Sequence, residues 1–171
     1  MSRITTRTPI FADASTISAI DARSLATGHA TFRQTPHDWT SFKTYFLTRH
    51  GLGLIAENSN SEVGWAGVSP TSTRAVYQGV GEVSIQVLSD GQRSGIGQQL
   101  LRALVRESEH AGYWTLIAQV FPESQSSITL HRGFELSHHR HQKKLRLMCY
   151  GPFADRWRDV VFLERRSQVV G

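Results

Sequence analysis

The chain is poor in cysteine, with Cys149 alone among 171 residues. An internal disulfide is therefore excluded, and a reducing, cytoplasmic setting fits such a chain. Paired-cysteine metal motifs are missing too. No HExxH spacing accompanies the histidines at 131, 138, 139 and 141, so no metal is expected. Long apolar runs are also lacking. No stretch approaches the roughly 20 residues of a membrane span, and the start Met1-Ser2-Arg3-Ile4-Thr5 has no long apolar leader. Internal repeats and low-complexity tracts are absent as well. With 39% hydrophobic and 19% charged residues, the chain is too apolar for disorder. Its length suits one compact domain over residues 1–171.

The formal charge of +5 is scattered except between His138 and Arg146. That basic run reads as a solvated loop or strand edge, or as contacts to an anionic ligand. It lacks the interleaved aromatics that stack on single-stranded bases, so no nucleic-acid partner is expected.

Periodicity gives an α/β alternation. Residues 4–8 read as a strand and 12–25 as a helix capped near Ala12 or Asp13, with Ile17, Ile20 and Leu25 on one side. A second helix is predicted over 38–50, ended by Gly51 and Gly53. Residues 52–57 and 63–69 read as hairpin strands. A strand ending at Val87 follows, then a helix to His110. The apolar run 114–121 reads as a buried central strand. A short helix over 124–132 and strands around 145–148 and 159–164 complete the chain.

Gln92-Arg93-Ser94-Gly95-Ile96-Gly97 is the most informative segment. Gly95 and Gly97 permit a tight turn, and Ile96, Leu100, Leu101, Leu104 and Val105 recur at helical spacing behind it. The segment is either an ordinary strand-to-helix turn or a cradle whose N–H groups and helix dipole hold a pyrophosphate beside Arg93. Before it, Val83, Ile85 and Val87 alternate with Glu82, Ser84 and Gln86, so the strand has one polar face fit to line a cleft. A Rossmann nucleotide site fits less well, because no acidic ribose partner follows at the expected distance.

Strand, glycine turn and amphipathic helix in this order resemble the core of the GNAT superfamily of N-acetyltransferases. Arg74, Tyr77 and Glu82, then the cradle, then Leu130-His131 and Gly133-Phe134, and last Trp157-Arg158-Asp159-Val160 resemble the phosphinothricin acetyltransferase-like subgroup in their order. The resemblance implies a single-domain α/β fold with a mixed central sheet flanked by helices. It implies acetyl-CoA as co-substrate and a small amino acid or toxic analogue as acceptor. By analogy with relatives, which are often dimers, it also implies a homodimer. Another amine, a protein N-terminus, or acyl-CoA binding without turnover are the alternatives.

N-acetyl transfer needs a neutral amine, so a carboxylate in the cleft has a proton to accept. The resemblance assigns that role to Glu82, against the plainer reading of a solubilising strand-edge carboxylate. It sets the backbone of Ile85, Gln86 and Val87 along the pantetheine and gives the pyrophosphate to residues 92–97. Arg74 and Tyr77 would meet the substrate's acidic group, where a guanidinium donates two parallel hydrogen bonds. Phe32 falls in the loop that closes the pocket in relatives, or is a packing aromatic. His131 either assists proton movement or packs near the cofactor. Two departures stand out. Ser124 occupies the place of a cofactor-contacting asparagine, and Arg132 alone separates His131 from Gly133, with a longer stretch over 135–156.

Overall fold

The computed structural model describes residues 4–58, 62–88 and 94–171. The strands are β1 (Thr5–Arg7), β2 (Leu52–Glu57), β3 (Glu62–Pro70), β4 (Val80–Val87), β5 (Thr115–Val120), β6 (Ser137–Leu147) and β7 (Trp157–Arg166). The helices are α1 (Ala14–Ala26), α2 (Trp39–Phe46), α3 (Ile96–His110) and α4 (Gln125–Arg132). Among the described residues the strands make one mixed sheet in the order β1-β2-β3-β4-β5-β7-β6. Every pairing is antiparallel except β4 with β5, which the α3 crossover joins. The expected single-domain α/β architecture is thus observed.

Both faces of the sheet are covered, and the period-2 alternation of β2 shows how. Leu54 and Ala56 join a core with Ile96, Leu100, Leu101 and Leu104 of α3, while Ile55 turns to Ile17 and Ile20 of α1, Phe42 and Phe46 of α2, and Trp65. Leu100, Leu101 and Leu104 are fully buried. Truncating any one to alanine should cost about 2–5 kcal/mol. No helix among the described residues is long and apolar enough to cross a membrane.

Three predicted elements differ in extent. Asp13 does not cap α1 through its side chain. Its carboxylate instead accepts from Arg7 Nη1 and Nη2 at 2.7 and 2.8 Å and from the Ile10 N–H at 2.7 Å, closing a 3-10 turn that ties β1 to the helix start. α2 begins as predicted, with the Asp38 side chain accepting from the Ser41 N–H at 2.7 Å, but it ends at Phe46 rather than His50. The chain folds back over its last turn, so closely that a Cβ at Gly51 would fall 2.7 Å from the Tyr45 carbonyl oxygen. β6 runs through the whole basic stretch from Ser137, well before the predicted start near Leu145. It is an edge strand with two register shifts, and its charges suit that position because they discourage pairing with other chains.

Candidate active site

β4 and β5 pair at only three positions, Val80 with Thr115, Gly81 with Leu116 and Glu82 with Ile117. Past Glu82 the two parallel strands part, while β4 stays paired with β3 as far as Val87 with Gly64. The β4 edge that faced β5 is left with backbone donors and acceptors that an extended ligand can satisfy as a strand would. A cleft of about 1440 Å³ opens at this point. That exceeds the few hundred to roughly 1,000 Å³ of an ordinary small-molecule pocket, leaving room for a large ligand and a small one together.

Ile85, Gln86 and Val87 line the cleft, as do Gly95, Gly97 and Ser124. Gly95 precedes α3 with φ of 84°, and a Cβ built there would meet nothing within 4 Å. The N-cap residue, Gly95, has no side chain to cap that end of α3, so the N–H groups of the first turn are not satisfied by it. Ile96 points into the core and Ser94 is exposed. Gln92 and Arg93 lie outside the described residues. The Ser124 hydroxyl donates to the His29 carbonyl at 3.3 Å, so it ties α4 to the loop between α1 and α2.

Glu82 stands where the strands diverge. Gln119 Nε2 donates to its Oε1 at 3.0 Å. Burial pushes the carboxyl above the usual glutamate range, against the opposing pull of that hydrogen bond and of the Arg146 charge. A carboxyl so poised is a better proton acceptor near neutral pH than an exposed one. His131, 2% exposed, also lines the cleft. Its Nδ1 lies 2.8 Å from the Ser127 carbonyl, which can only accept, so Nδ1 carries the proton and Nε2 is bare. Burial lowers its pKa, keeping the ring neutral.

Phe32 lines the cleft with its ring edge-on to Phe121, centroids 4.9 Å apart, and the Arg146 guanidinium lies 5.8 Å from its centroid. Arg74 and Tyr77 are not brought to the cleft of their own chain. They sit on the exposed 3-10 turn Ala75–Tyr77, with the Arg74 guanidinium 5.6 Å from the centre of the Tyr77 ring. Among the described residues, the arginines that do line it are Arg23, Arg33, Arg102 and Arg146, against the acidic Asp21 and Glu82. This positive balance favours anionic ligands.

Sequence reasoning missed Arg33, Asp21 and Gln119. Asp21, 2% exposed, accepts from Arg33 Nη2 at 2.7 Å, the His37 N–H at 2.9 Å and Trp65 Nε1 at 2.9 Å, and so orients Arg33 at the cleft wall. The available signal was an aspartate breaking the apolar face of a predicted helix. Arg146 belongs to the basic run 138–146, for which contacts to an anionic ligand are one of the readings the sequence allows. Cys149 is exposed and does not line the cleft.

The family model described as acetyltransferase (GNAT) family matches residues 20–134. The chain is 30% identical over 159 residues to an L-methionine sulfoximine/L-methionine sulfone acetyltransferase of Pseudomonas aeruginosa, covering 90% of this chain and 88% of that one. It is 30% identical over 111 residues to a phosphinothricin N-acetyltransferase of Alcaligenes faecalis, covering 63% and 56%. Among solved structures, a phosphinothricin acetyltransferase from Sinorhizobium meliloti in complex with AcCoA superposes with a TM-score of 0.85 at 27% identity, covering 97% of this chain and 89% of that one.

Proposed function

The chain belongs to the acetyltransferase (GNAT) family, and from that premise we propose that it moves the acetyl group of acetyl-CoA to the amino group of a small amino acid or toxic analogue, of the phosphinothricin, arsinothricin or methionine sulfoximine type. The observation that carries this reading is the position of Glu82: a carboxyl raised by burial, at the point where β4 and β5 part, in a cleft rich in arginine. Two relatives named for methionine sulfoximine and phosphinothricin point to the same acceptor class.

The residues present fit acetyl-CoA. The β4 edge at Ile85, Gln86 and Val87, past its pairing with β5, suits a pantetheine arm, and the space at Gly95 at the N-terminus of α3 suits a pyrophosphate. Gln92, Arg93, Ser94, Ile96 and Gly97 would complete the cradle, and the Ser124 hydroxyl keeps acceptor capacity for a cofactor contact. Acetyl-CoA supplies an activated thioester. Glu82 takes the ammonium proton, directly or through water, and the freed amine accepts the acetyl group as the thiol leaves. His131, kept neutral by burial, offers the lone pair of Nε2 as a hydrogen-bond acceptor on the cleft wall that can orient the amine or water whose proton passes to Glu82. Transfer is direct, since Cys149 lies outside the cleft.

Arg146, beside Phe32 and acting on Glu82, and Arg33, which follows Phe32 on the cleft wall, receive the substrate's acidic group in this reading. Arg74 and Tyr77 serve it only through a homodimer that brings them to the other copy's cleft. Amine kinetics of Arg74→Ala test that role. The whole proposal is tested by thiol release from acetyl-CoA with phosphinothricin, arsinothricin, methionine sulfoximine, methionine sulfone and unrelated amines. Turnover should be confined to the zwitterionic set. Turnover with other amines alone, or none with any, would overturn it.

A further inference from the structure

Arg158 on β7 is 4% exposed and does not line the cleft. A guanidinium so buried needs a partner on every side. Nη1 donates to the Gly28 carbonyl at 3.0 Å, and Nη2 donates to His29 Nδ1 at 3.2 Å and Glu123 Oε2 at 3.3 Å. Because Arg158 only donates, His29 Nδ1 is the acceptor in that bond. The rings of Phe121 and Phe153 both pack against the guanidinium, with centroids 4.1 and 4.4 Å from Cζ.

Gly28 and His29 belong to the chain between α1 and α2, and Phe153 packs on it. Gly28 has φ of 68°, and a Cβ there would fall 2.7 Å from the Phe153 ring, so the loop is seated directly on that aromatic. The His29 ring packs on Phe153 as well, with centroids 4.6 Å apart. Ser124 Oγ donates to the His29 carbonyl at 3.3 Å and the Tyr150 hydroxyl to the Thr31 carbonyl at 2.5 Å. The next two residues are Phe32 and Arg33, both on the cleft wall, with Phe32 beside Arg146.

We infer that Arg158 is a positioning residue that clamps the 28–31 segment to the end of the sheet and so sets Phe32 and Arg33 at the amine side of the cleft. This rests on the acetyltransferase reading for which side binds the amine, and on geometry alone for the clamp. Lysine replaces it only in part, because a compact ammonium lacks both the fixed fork of donors and the planar surface that packs against two rings.

The test uses the full chain as wild type, Arg158→Met, Arg158→Lys and Tyr150→Phe. Amide hydrogen exchange is followed by mass spectrometry without ligand, and initial rates are measured with both substrates varied. In Arg158→Met, exchange over residues 27–34 should quicken roughly tenfold or more while β4 and α3 keep their protection. The KM for the amine should rise about tenfold, with kcat and the KM for acetyl-CoA within about twofold of wild type. Arg158→Lys should fall between. Should Arg158→Met not fold, Tyr150→Phe carries the test, with the same local loss over 27–34 on a smaller scale. Unchanged exchange over 27–34, or a rise shared equally by β4 and α3, would overturn the clamp. If wild type acetylates no amine, the proposed function fails while the exchange pattern still decides the clamp.

Discussion

At Glu82 a single carboxyl answers to two opposing demands. Burial raises its pKa, so above that pKa the folded protein holds a charge it would rather not hold, while the unfolded chain ionises freely. The same burial makes it an effective base. Glu82→Gln should therefore lower kcat by about 10²- to 10⁴-fold at neutral pH, with the loss shrinking as pH rises and more amine is neutral unaided. It should also raise Tm at pH 7 to 8, a gain that shrinks as pH falls toward the unfolded glutamate pKa and is lost below it, where the carboxyl is protonated in both states. Wild-type kcat across neutral pH would remove Glu82 from the chemistry, and an unchanged Tm would remove the burial argument. Glu82 was legible because alternation along β4 put it on the polar face. Arg146 was not, since a run of basic residues has no period to single one out. Nor was Arg158, whose hydrogen bond to Gly28 spans 130 positions.

The turn into α3 does its work through the backbone, and that makes a substitution with an internal control available. Gly95 and Gly112 flank the same helix, with φ of 84° and 89°, and a Cβ at either would meet nothing within 4 Å. Valine at either position pays the left-handed backbone penalty, on the order of 1–3 kcal/mol. Only Gly95→Val, however, intrudes on the cleft. Calorimetry should show acetyl-CoA binding at least about tenfold weaker for Gly95→Val and near wild type for Gly112→Val, with similar drops in Tm. Equal affinities in the two variants would place the pyrophosphate elsewhere. β4 and α3 were readable because periods of 2 and 3.6 stand out in a half-buried element. β6 was hidden because a charged edge strand, bent by register shifts and by Lys144 at φ of 47°, buries too little to leave a pattern. The early end of α2 depended on the chain folding back over it, a tertiary fact.

Across the whole molecule, acid should act in two separate steps. Asp13, held below the usual aspartate range first by its hydrogen bonds from Arg7, contributes stability above the unfolded aspartate pKa and loses it only as pH falls below about 4. His37 acts earlier. Its ring lies among Phe42, Tyr45, Phe46 and Trp65, centroids 5.5–6.0 Å away, with Nδ1 3.1 Å from the Ser41 hydroxyl. Burial first, and then the Arg33 charge, push its pKa down to about 4, against the weaker pull of Asp21 and Asp38. Between that value and the unfolded pKa near 6.5, the unfolded chain binds a proton that the native state refuses. Stability should then fall as pH drops from about 6.5 to 4, by on the order of 2–3 kcal/mol from this group. Buried His131, lowered in the same direction, adds to that window. Urea unfolding at half-unit steps from pH 7.5 to 4.5 should show this decline in wild type and a shallower one in His37→Phe, which keeps the ring packing without the titration. Because Glu82 acts with the opposite sign in this window, the comparison decides: a decline as steep in His37→Phe as in wild type would mean that water reaches the His37 imidazole, and the aromatic cluster joining α2 to the sheet would then be looser than its packing implies.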